Sequence, residues 1–268
     1  MTSRIAILGA GVMGETLLSA ILSSGHPTAD LVISEKRDDR AAELRESYGV
    51  EVTGNAAAAA GADVVLLVVK PQDVPSLLEE IAGSVRPGAT VVSLAAGITI
   101  ATMTAALPGG VAVVRAMPNT PALVGEGMFG ISPGSSVSDE QLAAVVTLLE
   151  SGGKVVVVDE SRQDAVTAVS GSGPAYVFYL AEAMIAGGVE AGLDPGTART
   201  LAAQTLVGAA KLLAESGDSA EELRRRVTSP NGTTHAAITT FDDRGVKDGL
   251  VAGVLACAAR SAELSGPA

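Results

Sequence analysis

The 268-residue chain has no tryptophan, three phenylalanines, three tyrosines, two histidines and one cysteine. A single thiol, Cys257, cannot form an internal disulfide, so a reducing compartment, the cytoplasm, is expected, with Cys257 as a small residue in an alanine-rich run. Cations are scarce as well: 18 Lys and Arg face 30 Asp and Glu, for a net charge of −12. A chain with neither a cationic field nor aromatic stacking platforms is not built for nucleic acid. No apolar run approaches the roughly 20 residues of a membrane span, because the longest candidate, VVLLVV at 64–69, stops at Lys70 and Pro71. HExxH, GxSxG and clusters with metal-ligand spacing are all missing, which leaves metalloenzyme and serine-hydrolase chemistry without residues, and no metal is expected.

What is present is organised in two halves. The first alternates short aliphatic runs (RIAIL, LVIS, VVLLVV, TVVSL, VAVVR and VVVV near 155) with helical patterns over 12–24, 38–48 and 72–84. Strands separated by helices predict βαβ units, hence an α/β, Rossmann-like, doubly wound parallel sheet over residues 1–159. Beyond Asp159 the strand pattern ends. Ala, Leu, Gly and charged residues dominate from there, with Asp194-Pro195 as cap and first turn, predicting an all-α domain over 160–268. Its stretch AEAMIAGGVEAG allows close helix packing, and a helical half with so little aromatic bulk is expected to complete its core by dimerising.

RIAIL leads into Gly9-Ala10-Gly11-Val12-Met13-Gly14 and then a helix, which is G-x-G-x-x-G in the context a dinucleotide needs. Gly9 makes the tight turn, Gly11 lets a pyrophosphate approach the backbone at Val12 and Met13, and Gly14 packs helix on strand. Glu35 stands 21 residues after Gly14, where a carboxylate usually holds the ribose 2′-hydroxyl of NAD, yet Lys36 and Arg37 follow as a 2′-phosphate would require, and Ser34 adds a hydroxyl. The two signals conflict. Val69-Lys70-Pro71 and Ala95-Ala96-Gly97 each follow a strand, where ligands of doubly wound sheets bind; the small residues of the second leave room for a nicotinamide ring. Arg115-Ala116-Met117-Pro118-Asn119-Thr120-Pro121 reads as a rigid loop, and Ser170-Gly171-Ser172-Gly173-Pro174 as a break between two helices. His26 and His235 read as a loop and a helix-face residue, and Arg224–Arg226 as a solvated helix end.

In VTSPNGTTHAAI, 227–238, Asn231 and Gly232 tolerate positive φ, and Thr233 or Thr234 can cap the following helix. Backbone amides converging there suit a small anion. The plainer alternative is an ordinary capped turn.

ILGAGVMG, VVKPQ, AAG, RAMPNTPA, DAVTAVSGSGPAY and LRRRVTSPNGTTHAAI, in that order, resemble the pyrroline-5-carboxylate reductase family from end to end. The last two motifs carry most of the specificity; Asn231 departs from the family's usual Pro-Gly-Gly. The resemblance implies hydride transfer from NAD(P)H to 1-pyrroline-5-carboxylate, giving L-proline, with NADP(H) preferred and NAD(H) as the alternative. It implies a cofactor site of Gly9, Gly11, Val12, Met13, Gly14, Ser34, Glu35, Lys36, Arg37, Asn55, Val69, Lys70, Pro71, Ala95, Ala96 and Gly97. It also implies a substrate site of Thr167, Ser229, Gly232, Thr233 and Thr234, in which loop amides hold the carboxylate and Thr234, the catalytic candidate, faces the ring nitrogen. Interleaved homodimers assembling further, up to a decamer, are implied as well, with no partner beyond the small-molecule substrate and other copies of the chain. Two rivals stand beside this reading. A hydroxyacid dehydrogenase would need a catalytic lysine, for which Lys211 is the candidate, and a nucleotide sensor would need no second anion pocket.

Overall fold

The computed structural model describes residues 3–266. Its elements run β1 (Ile5–Leu8), α1 (Val12–Ser23), β2 (Leu31–Ser34), α2 (Asp38–Tyr48), β3 (Glu51–Thr53), α3 (Asn55–Ala60), β4 (Val64–Leu67), α4 (Val74–Ile81), β5 (Thr90–Ser93), α5 (Ile100–Ala106), β6 (Ala112–Met117), β7 (Gly127–Pro133), α6 (Asp139–Glu150), β8 (Gly153–Val157) and α7 (Gln163–Val166). Five more helices follow a π turn over Thr167–Gly171: α8 (Gly173–Glu190), α9 (Pro195–Glu215), α10 (Ala220–Arg226), α11 (Thr233–Asp243) and α12 (Val246–Ser265).

The chain divides into two compact units. The first takes residues through Ser172 together with those from Cys257 onward, and the second spans Gly173–Ala256. The sequence boundary at 159/160 marks where strands end; the division after Ser172 follows contacts, which keep α7 and the π turn with the sheet.

In the first unit, eight strands lie in the order β3-β2-β1-β4-β5-β6-β7-β8. β1 to β6 are mutually parallel, and all four residues of β1, β2, β4 and β5 are buried. Such strands must be apolar on both faces, and the period of two divides them cleanly. Ile5 and Ile7 of β1 join one cluster with Leu17, Leu18 and Ile21 of α1, while Ala6 and Leu8 join the other with Val74, Leu77, Leu78 and Ile81 of α4. Both helices present apolar residues at i, i+3, i+4 and i+7 spacing, and each fully buried Leu or Ile contributes about 1.5–3 kcal/mol.

The sheet departs from the sequence reading at two strands. β3 has only three residues and pairs with β2 alone, too short for a periodic signal. β7, GMFGISP, is not among the aliphatic runs of the sequence, yet it pairs antiparallel to β6, so β7 and β8 reverse the parallel run. Its glycines sit where neighbours pass closely. A Cβ on Gly127 would lie 2.6 Å from the Gly152 carbonyl oxygen, and one on Gly130 would collide with Val166. Arg115 lies within β6 rather than in a loop, and it is 6 % exposed.

The expected helix break at Ser170–Pro174 falls where the sequence places it, with α8 starting at Gly173 and Pro174 in its first turn, and a π turn over Thr167–Gly171 leads into it. Ser172 N–H donates to the Thr167 carbonyl at 2.8 Å, a five-residue step that shifts the helical register before α8 begins.

In the second unit α8 packs on α9 through small residues: a Cβ on Gly188 would meet Ala198 Cβ at 3.3 Å. Ala198 and Ala202 are buried, whereas Phe178, Tyr179, Leu201, Leu250 and Leu255 are more than half exposed. Both large hydrophobic clusters belong to the first unit. Among the described residues no helix is long and apolar enough to cross a membrane.

Candidate active site

The strand order reverses between β1 and β4, and the carboxyl ends of β1 to β5, with the loops and helix starts that follow them, carry every expected cofactor residue. Gly9, just beyond β1, has φ +108°, and a Cβ on it would lie 2.5 Å from the Val68 carbonyl oxygen and 2.9 Å from Val69 Cγ1. Only glycine fits there. Gly11 is the N-cap of α1, and a Cβ there would have no neighbour within 4 Å, so its backbone is open to a ligand. At Gly14 the Gly9 carbonyl fills the space a side chain would need. The first helical bond of α1 runs from Glu15 N–H to the Gly11 carbonyl at 3.0 Å, leaving the amides of Val12, Met13 and Gly14 without intrahelical acceptors. Tight turn, open approach and free amides at the positive end of a helix are what a dinucleotide pyrophosphate requires.

At the end of β2, Ser34 is 3 % exposed and Asn55, the first residue of α3, 7 %. Ser34 Oγ donates to Asn55 Oδ1 at 2.6 Å, and Asn55 Nδ2 donates to Glu80 Oε2 at 2.8 Å. The Gly9 amide donates to the Ser34 carbonyl, tying this corner to the glycine loop. Glu35 folds back: its Oε1 accepts from the Arg37 amide at 2.9 Å and lies 3.6 Å from Arg37 Nε. Its side chain is 12 % exposed against 65 % for Arg37, and Lys36 is exposed. A cavity of about 330 Å³ is lined here by Ser34, Glu35, Lys36, Arg45, Asn55 and Glu80, among others. The sequence reading missed Glu80, for no local pattern announces a contact between residues 25 positions apart.

Val69 is half-buried, while Lys70 and Pro71 lie exposed just beyond β4. After β5, Ala95 is buried, Ala96 exposed, and Gly97 has φ +77° with the end of α12 beside it, where a Cβ would meet the Leu264 carbonyl at 3.3 Å. The glycine at 97 therefore answers to backbone conformation and to α12. Arg115 reaches the same corner, with Nη1 3.4 Å from Glu160 Oε1 and Nη2 3.4 Å from Ser265 Oγ. Thr167, in the π turn of this unit, donates its hydroxyl to the Gln163 carbonyl at 2.9 Å, so only its lone pairs remain for a ligand.

The second unit holds Ser229, Gly232, Thr233 and Thr234. Gly232 N–H donates to the Ser229 carbonyl at 3.1 Å, Pro230 occupies the second position and Asn231 the third with φ +59°, the pattern of a type II turn. Two expectations are corrected here. Positive φ belongs to Asn231 alone, since Gly232 has φ −83°; glycine at 232 is favoured by space, because a Cβ would lie 2.5 Å from Ser229 Oγ and the hydroxyl would have to turn away. Neither threonine caps α11: the N-cap is Gly232, no side chain bonds there, and Thr233 and Thr234 are already helical. The first helical bond is Ala236 N–H to the Gly232 carbonyl, so the amides of Thr233, Thr234 and His235 lack intrahelical acceptors. Without a capping side chain those donors stay available to an anion. Lys211 is exposed on α9 and pairs with Glu215 at 3.9 Å, a surface helix pair rather than a catalytic setting.

Residues 160–264 match the family model described as pyrroline-5-carboxylate reductase dimerisation, and residues 4–97 the one described as NADP oxidoreductase, coenzyme F420-dependent. The pyrroline-5-carboxylate reductase of Corynebacterium melassecola is 44 % identical, with 98 % of each chain covered, and that of Pseudomonas aeruginosa is 42 % identical, with 98 % and 97 % covered. Among solved structures, a pyrroline-5-carboxylate reductase from Coxiella burnetii superposes with a TM-score of 0.94 at 32 % identity over all of both chains. The Plasmodium falciparum enzyme with NADP bound gives 0.87 at 25 % over 98 % of each. Near-complete coverage in both sequence and fold means that this chain belongs to the pyrroline-5-carboxylate reductase family.

Proposed function

We propose that this reductase divides its work between the units, the first binding NADPH in preference to NADH and the second holding the carboxylate of 1-pyrroline-5-carboxylate. The observation that carries the substrate half is the uncapped start of α11, where a type II turn presents three amides with no side chain competing for them. Hydrogen bonds to a charged group are worth roughly 1.5–3 kcal/mol each, so two or three amides hold a carboxylate without an arginine. Ser229 and Gly232 shape the turn, Thr233 and Thr234 supply amides, and the Thr234 hydroxyl orients the ring nitrogen. Thr167, in the first unit, keeps only hydroxyl lone pairs for a ligand. A bound reduced nicotinamide supplies the hydride to the imine carbon, yielding L-proline. A protonated imine is already electrophilic, so the protein's part is alignment and exclusion of water, and no strong acid–base pair is needed.

The amides of Val12, Met13 and Gly14, with Gly9 and Gly11 shaping their loop, hold the pyrophosphate. Ser34 to Arg37 and Asn55 border the adenosine ribose, and Val69 to Pro71 with Ala95 to Gly97 border the nicotinamide side. Preference for NADPH is supported by the fold of Glu35 onto Arg37, which spends the carboxylate on a neighbouring amide and leaves Lys36 and Arg37 exposed for a 2′-phosphate. The open apolar faces of the second unit, together with the family's dimerisation module, support a homodimer, which we extend to a decamer; the cytoplasm is the proposed location. Substrate-dependent oxidation of NADPH and NADH, measured in parallel with 1-pyrroline-5-carboxylate, tests the reading. A higher kcat/KM with NADPH is expected, and the reverse ratio overturns the preference.

A further inference from the structure

Ser34, Asn55 and Glu80 form a chain of two hydrogen bonds, 2.6 Å and 2.8 Å long, at the edge of the cavity bordered by Glu35 and Lys36. The direction of its protons is not free. An ionised carboxylate can only accept, so Asn55 must turn its NH₂ group to Glu80 and its carbonyl oxygen to Ser34. That oxygen also only accepts, so the Ser34 hydroxyl must give its single hydrogen to Asn55. What Ser34 retains for a ligand in the cavity is its lone pairs. A ribose 2′-hydroxyl can donate to them, whereas an ionised 2′-phosphate carries acceptors alone and meets repulsion.

We infer that Glu80 is a positioning residue for cofactor selectivity: by setting the polarity of the Asn55 amide it holds Ser34 as an acceptor, which favours a 2′-hydroxyl and limits the preference for NADPH. This rests on the proposal that Ser34 and Asn55 border the adenosine ribose. Of the charged groups lining the cavity, Glu35 and Asp38 share the sign of Glu80; Lys36 and Arg45 oppose it, with Arg45 already donating to the Val52 carbonyl at 2.9 Å. Glu80 is exposed, so its charge acts on a ligand through screened water, and the hydrogen-bond chain through two buried side chains is the more direct route.

Glutamine at position 80 can donate as well as accept. Asn55 is then free to turn over, donate to Ser34 and release the Ser34 hydrogen toward a phosphate. The test is calorimetric titration of NADPH and NADH into the parent, Glu80→Gln, Ser34→Ala and the double variant. Glu80→Gln is expected to tighten NADPH and to raise the NADH-to-NADPH ratio of Kd by about fivefold or more, a gain that structural damage does not produce. In the Ser34→Ala background the same substitution should move the ratio less than about twofold, because the group it acts through is gone. Equal shifts in both backgrounds would assign the effect to charge alone and overturn the inference, as would no shift in either. If instead Ser34→Ala leaves both affinities at parent values, the ribose does not sit at Ser34, and the placement of the cofactor falls together with the inference.

Discussion

In the first unit β1, β2, β4 and β5 bury every residue and two clusters fill the faces of one sheet, whereas in the second unit α8 exposes Phe178 at 63 % and Tyr179 at 71 %. The candidate sites follow the same division. The glycine loop is confined where Gly9 packs against the Val68 backbone and Gly14 against Gly9, while Gly11 stays open. The turn that starts α11 depends on local conformation, with Asn231 left-handed and Gly232 fitted against Ser229. The first unit encloses two clusters of its own, whereas the second leaves apolar side chains open and matches a dimerisation family model.

The sharpest way to break that contrast is to put a methyl group where the first unit has no room. Gly9→Ala combines a backbone strain of about 1–3 kcal/mol with a collision against the Val68 carbonyl, so melting temperature should fall and cofactor affinity drop by more than about tenfold. Calorimetry reads both; parent values for both would mean that the loop is not confined at Gly9.

In the second unit the same logic predicts loss of association rather than loss of fold. Phe178→Asp removes an exposed aromatic whose burial in an assembly is worth about 1.5–3 kcal/mol per copy. Light scattering should show the parent as at least a dimer and the variant shifted toward a single chain, with helical circular dichroism retained. A parent that is fully active at single-chain mass removes the contrast altogether.

Smaller effects test the turn. Thr234→Ala should lower kcat about tenfold while leaving the Kd for NADPH unchanged, the loss of one hydrogen bond made to the reacting ring. Gly232→Ala, which must displace the Ser229 hydroxyl, should raise KM for the imine a few-fold, and steady-state kinetics separate the two. An unchanged kcat in Thr234→Ala would remove its assigned role.

The smallest effect is acid sensitivity at the start of α9. Hydrogen bonds from the Thr197 side chain and amide, with a further one from Gly196, hold the Asp194 carboxyl below the ordinary aspartate range. A depressed value means that the carboxylate's stabilisation is present above the ordinary range and lost as pH falls through the lowered one. Helical circular dichroism should show a small acid-dependent loss that Asp194→Asn abolishes; identical acid titrations of parent and variant would rule out this contribution.

Much of the fold was legible because it rests on local patterns. Four-residue aliphatic runs, the i, i+3, i+4, i+7 spacing in α1 and α4, and Asp194-Pro195 before α9 each announce an element without reference to distant residues. β7 was not legible: its glycines interrupt any aliphatic run, and only the structure shows Gly152 and Val166 pressing against them. The cofactor loops could be placed because a doubly wound sheet gathers the ends of its strands, so position along the chain already implies proximity.

The signals at Glu35, Lys36 and Arg37 stayed in conflict in the sequence because charge alone does not say which way a carboxylate points; the fold of Glu35 onto the Arg37 amide is a fact of three-dimensional geometry. The same holds at 231 and 232, where composition allowed either residue to take positive φ and only the turn's hydrogen bond assigned it to Asn231. Glu80 had no signal at all. Sequence by itself determined the order of elements, the glycine loop and the family's motifs, since periodicity and short-range sterics act within a few residues. Tertiary structure decided the strand that reverses, the residue that is left-handed and the partner that orients Asn55, because each depends on atoms brought together from parts of the chain that share no local pattern.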